Sequence, residues 1–177
     1  MPHPYDFPGN WFHIIATTYG AWLPGDERGF RTRHHRLHVE GDYKNPPPRE
    51  QFADIRQGSK ALLKQEPTII GNKWRPIVGD AVRKRLEELG AFVLCVSVSG
   101  QHVHVLVKLP FGCKPKTFLT LAKRHATYEC KRRGWKGKLW ALRGKVLRIR
   151  DRAHQRNVYH YILAHEKEGA WVWKWQR

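Results

Sequence analysis

Two apolar runs that meet across Ser99-Gly100 constrain the fold more than any other stretch of this 177-residue chain. Ala91 to Ser97, with Phe92, Val93, Leu94, Cys95 and Val96, reads as a buried strand, and Gln101 to about Leu109 returns from the turn as its antiparallel hairpin partner. The second run alternates. A strand turns successive side chains to opposite faces, so His102 and His104 leave one face while Val103, Val105 and Val107 leave the other, toward a core. Two neutral imidazoles on a rigid strand amount to two thirds of a divalent-metal site. An exposed strand face that merely tolerates histidine is the competing reading, and the pair alone does not decide.

The elements around the hairpin follow from periodicity. Trp11 to Thr18 is β-branched and apolar, a first strand, followed by an ordered, turn-rich loop from Tyr19 to Asp26. Arg28 to Pro48 is basic, histidine-rich (His34, His35, His38) and carries no convincing element. Phe52 to Gln65 predicts a short helix, and Ile77 to Leu89 a better one, with Val78, Val82, Leu86 and Leu89 at helical spacing before Gly90. Lys116 to Arg133 is a basic amphipathic helix. Leu139 to Leu142 and Val146 to Ile149 predict two short strands around Arg143-Gly144. Asp151 to Glu166 is the last helix, with Asp151 as its N-cap. The closing Trp171, Trp173 and Trp175 alternate like a strand, fitted for packing and, less well, for stacking on bases. The expected architecture is α+β: a single domain spanning 1–177, one antiparallel sheet with helices packed on one side, and a loop-rich insertion at about 28–76.

Charge narrows the partners. Lys and Arg total 33 against 15 Asp and Glu, a net +18. The segment Lys114–Arg156 alone holds 15 basic residues against Glu129 and Asp151, a net +13. A folded domain this basic attracts polyanions, nucleic acid first. Lys123, Arg124, Lys131, Arg132 and Arg133 on the basic helix are the candidate DNA-binding residues, with a solvated helix face as the alternative for any one of them. Acidic membrane is disfavoured, because neither a polybasic tail nor an amphipathic surface helix stands out, and no run approaches the length of a membrane span. Three dispersed cysteines, no CxxC and no basic-then-apolar leader suit a reducing cytoplasm.

The last helix supplies a second constellation. Tyr161 and His165 are four residues apart and therefore share a helix face. If that face meets the histidine strand, His165 becomes a third metal ligand with a phenol beside it; a histidine at a helix C-terminus, favourable against the dipole, is the simpler reading. Tyr159 is a rival tyrosine but lies on another face, paired with Leu163.

The His-hydrophobic-His strand, the basic helix after it and the late Tyr161-Ile162-Leu163-Ala164-His165-Glu166 resemble the IS200-like, single-tyrosine HUH transposases. The relatives associated with repetitive extragenic palindromes share this plan, and Thr17-Thr18-Tyr19-Gly20-Ala21-Trp22-Leu23-Pro24-Gly25-Asp26 is also similar to them. The resemblance runs from about Trp11 to Glu166. It implies a ferredoxin-like HUH fold, His102 and His104 as ligands of Mg²⁺ or Mn²⁺, and Tyr161 as the nucleophile. The implied reaction is cleavage of single-stranded DNA at a hairpin-flanked end through a 5′-phosphotyrosine link, in a prokaryotic cytoplasm. The family commonly has Gln or Asn where this chain has His165, and the softer imidazole favours Mn²⁺ over Mg²⁺. Monomers with the tyrosine in cis and dimers with it in trans both occur in the group; a sheet-edge homodimer is the preferred expectation here. The alternative function is a non-catalytic, domesticated nucleic-acid binder. A cupin oxygenase would need an all-β barrel, and a barrel hydrolase a longer chain.

Overall fold

The computed structural model describes residues 9–26, 30, 48 and 50–176. Its centre is the hairpin: β2 (Phe92–Val98) and β3 (His102–Lys108) pair antiparallel, and the Ser99 amide donates to the His102 carbonyl at 2.9 Å to close the turn. β1 (Trp11–Thr18) pairs with the other edge of β3, β4 (Trp140–Arg148) with β1, and β5 (Trp171–Lys174) with β2. The result is one five-stranded antiparallel sheet in the order β4-β1-β3-β2-β5, an α+β fold as expected.

Strand parity sorts the sheet into two faces. Phe12, Ile14, Ala16, Val96, Val98, Val103, Val105 and Val107 line the valine face, under α2 (Arg75–Glu88) and α3 (Pro115–Arg132). Trp11, Leu94, Cys95 and Leu106 line the opposite, histidine face and pack against Val158 and Ile162 of α4 (Arg152–Ala164). A bulge between Val93 and Cys95 turns Leu94 and Cys95 to the same side, giving α4 a broader apolar seat. The helices therefore do not all lie on one side. Apolar residues left both faces of β2, and each face needed a cover. α1 (Ala53–Ala61) buries none of its residues and adds little to either layer.

Three local outcomes refine the sequence reading. The two strands expected around Arg143-Gly144 are one continuous β4. Gly144 is not a turn: it sits opposite Ala16, where a Cβ would lie 2.7 Å from the Ile15 carbonyl oxygen and 2.8 Å from Leu119. The Asp151 cap is present, its carboxylate accepting from the His154 amide at 2.7 Å. The final tryptophans pack on the fold. Trp171 lies over Gly79, Trp173 under the Arg83 guanidinium at 4.6 Å, and Trp175 edge-on to Phe92 at 5.7 Å.

Within the stretch 28–76, residues 66–70 run along the sheet end. Thr18 Oγ1 donates to the Thr68 carbonyl at 2.7 Å and the Ile70 amide to Gly100 at 2.7 Å. His34, His35 and His38 lie outside the described residues. No helix among the described residues is long and apolar enough to cross a membrane.

Candidate active site

The histidine face of β3 meets the polar end of α4. Below that point the helix is seated by Val158 and Ile162, and this apolar seat fixes its rotation. The face bearing Tyr161 and His165 then overhangs His104. Tyr161 presents its ring nearly perpendicular to three imidazoles: His165 at 4.7 Å, His104 at 5.6 Å and His13 at 6.1 Å between centroids. His104 and His165 stack at 4.8 Å with planes 25° apart, and His102 stands 6.1 Å from His104 along β3. His165 itself opens a short 3₁₀ turn (His165–Glu168) that ends at Gly169 in the left-handed region. Tyr159 packs elsewhere, against the apolar cluster beneath α4 and edge-on to His160.

Two members of the cluster carried no signal in the sequence. His13 on β1 is 6% exposed, and its Nε2 lies 3.0 Å from Nδ1 of His104. Ser97 on β2 is 1% exposed, and its Oγ lies 3.2 Å from Nδ1 of His165. Register explains both. Ser97 and Ile15 sit directly opposite His104 on its two neighbouring strands, and His13 lies one diagonal step away on the same face, within reach of a long side chain.

The cluster grades from dry to wet. His13, Ser97 and His104 are buried, His102 and His165 half-buried, and Tyr161 exposed. Burial pushes the His13 imidazole down to about 4, with the charges of His154 and His165 adding to it. Burial pushes His104 down to about 2, reinforced by His13, His165 and His102. Both rings are therefore neutral near pH 7, the protonation state in which an imidazole can donate a lone pair to a metal.

The side chains that could hold a divalent cation are His102, His104 and His165. Their chemistry fits: all are imidazoles, and the two stacked ones are engaged at Nδ1, with neither Nε2 hydrogen-bonded among the described residues. Their arrangement is less complete. Among the described residues no three metal-ligating side chains converge on one point.

Four of the candidate DNA-binding residues are on α3 and the fifth, Arg133, caps its C-terminus, so they lie on the valine side of the sheet, away from Tyr161. Lys123 is half-buried and donates to the carbonyls of Ala141 at 2.6 Å and Leu142 at 3.4 Å, its ammonium pKa lowered by that burial. Arg132 and Arg133 both pair with Glu129. Arg124 and Lys131 are exposed.

No protein-family model matches the chain, and no curated protein matches it. Among solved structures, the chain is similar to a REP-associated tyrosine transposase bound to a REP hairpin, at 14% identity and a TM-score of 0.52, over 96% of this chain and 74% of that one. It also aligns with a candidate transposase from Deinococcus radiodurans at 13% identity and a TM-score of 0.44, over 93% and 95% of the two chains. At 14% identity, what the chain shares with the REP-associated transposase is the fold.

Proposed function

We propose that this chain is a single-tyrosine DNA strand transferase of the IS200-like, REP-associated group, acting on single-stranded DNA next to a hairpin. The observation that carries the reading is the Tyr161 phenol standing against the stacked His104 and His165 on a sheet face that also bears His102. The shared fold with a transposase that binds a hairpin supports it, as does the net +18 charge.

In this reading Tyr161 Oη attacks the scissile phosphorus. The Oη–P bond forms, the P–O3′ bond breaks, and the phenol proton ends on the departing 3′ oxygen. The product is a 5′-phosphotyrosine and a free 3′-OH, which can later attack such a link to rejoin strands without a nucleotide cofactor. A phenol is a weak nucleophile near neutral pH, its ordinary pKa being about 10. A divalent cation held by His102, His104 and His165 would supply polarisation of the phosphate. The protein's own share is positioning: α4 brings Tyr161 to the histidine face, and the buried seat beneath the helix keeps it there.

The test is incubation with a hairpin-ended single strand and Mn²⁺ or Mg²⁺, followed by denaturing electrophoresis. A denaturant-resistant protein–DNA adduct is expected from the wild type and from Tyr159→Phe, and none from Tyr161→Phe. An undiminished adduct in Tyr161→Phe would overturn the assignment. A second reading, a basic hairpin binder without chemistry, draws on the three candidate ligands not converging. It predicts that the hairpin is bound with no adduct from any form.

A further inference from the structure

We propose that His13 and Ser97 are positioning residues that hold His104 and His165 in the Nδ1–H tautomer, keeping both Nε2 lone pairs open. The inference rests on the metal reading above for its purpose, but its structural content concerns only this chain's own side chains.

A neutral imidazole has one N–H and one lone pair, and the partner of one nitrogen decides which of the two the other carries. His104 Nδ1 meets His13 Nε2 at 3.0 Å, and His165 Nδ1 meets Ser97 Oγ at 3.2 Å. Both anchors are almost fully buried, at 6% and 1% exposure, and sit on strands flanking β3. Both contacts use the same ring nitrogen, and neither Nε2 has a hydrogen-bond partner among the described residues. If His104 donates from Nδ1, His13 accepts at Nε2 and carries its own proton on Nδ1. If His13 donated instead, the His104 proton would sit on Nε2 and that ring could not serve as a ligand. The hydroxyl of Ser97 can accept from His165 Nδ1 or donate to it, and in the proposed arrangement it accepts.

Outer partners of this kind fix ring orientation and tautomer in metal sites, and their loss typically costs 10–100-fold in metal affinity. Here the two anchored rings are the stacked pair, 25° from parallel. Anchoring at Nδ1 therefore fixes the tautomer of both rings before any ion arrives.

The experiment has two arms. Long-range ¹H–¹⁵N spectra of the metal-free full chain, labelled at histidine, read the tautomers directly. His104 and His165 are expected as Nδ1–H, and an Nε2–H form of His104 in the wild type would overturn the proposal. In the second arm Mn²⁺ binding is measured by calorimetry. His13→Phe, which fills the space without an acceptor, is expected to weaken binding by roughly 10–100-fold, and His13→Gln, which restores an acceptor, to recover most of it. Ser97→Ala is expected to weaken it about tenfold, and serves if His13→Phe does not fold. Wild-type affinity in a folded His13→Phe would also overturn the proposal. A wild type that binds no Mn²⁺ removes the metal reading instead, and the tautomers alone then decide whether His13 and Ser97 orient the rings.

Discussion

His104 and His13 share a hydrogen bond in a place with little water, so their protonation is tied to folding. In the unfolded chain each takes a proton near pH 6.5, whereas in the fold they wait until about 4 and about 2. Between those limits the unfolded state binds more protons, so stability is full above about pH 6.5 and falls as pH drops below it. Each histidine contributes up to about 1.4 kcal/mol per pH unit in that window. Urea unfolding of the EDTA-treated protein should therefore lose about 2–4 kcal/mol between pH 7.5 and 5, and His13→Phe should show a visibly shallower loss. A flat profile would contradict two buried neutral rings. The same two residues mark where sequence reading stops. His102 and His104 announce themselves by a period of two, and Tyr161 and His165 by a spacing of four. His13 is a lone imidazole in a β-branched run, and Ser97 a lone hydroxyl. Each acquires meaning only from the register that places it opposite or diagonal to His104, and register is a property of strand pairs.

Elements show the same division. α4 was legible down to its cap, because Asp151 precedes an apolar period and its carboxylate has a free helix amide to accept from. Asp151→Ala should cost about 1 kcal/mol, a fall of roughly 2–4 °C in the melting temperature followed by circular dichroism. An unchanged melt would mean that the cap is idle. The layering was not legible, because a helix's apolar stripe does not say which face of the sheet it meets. Gly144 misled for a physical reason: glycine serves turns and close approaches alike, and only the Ile15 carbonyl beside it shows which. Gly79 is a second close approach, invisible until β5 is in place. A Cβ there would fall 2.0 Å from the Trp171 ring, so Gly79→Ala must push the tryptophan and its edge strand off α2. The expected loss is about 1–3 kcal/mol, with a changed tryptophan emission spectrum; wild-type stability and emission would show that Trp171 moves aside freely.

At the scale of the whole molecule the two sheet faces differ in what they carry. The histidine face carries the candidate chemistry, and α3 places its basic residues on the other. Not all of that charge is available to a ligand: Lys123 is spent on β4 carbonyls, and Arg132 and Arg133 share Glu129. Exposed Arg143, Lys145 and Arg148 on edge strand β4, together with Arg124 and Lys131, still leave positive charge whose attraction for phosphate does not depend on sequence, with Lys145 on the histidine face and Arg148 on the other. Binding of a hairpin to Tyr161→Phe in EDTA, where no covalent step intervenes, isolates this term. Each neutralised phosphate contributes about −0.9 to the slope of log K against log salt, so four to five contacts give a slope of about −4. A scrambled hairpin should bind more weakly with nearly the same slope, because phosphate contacts set position and strength while base contacts set choice. A slope near −1 would mean that the excess positive charge faces solvent and takes no part in holding DNA.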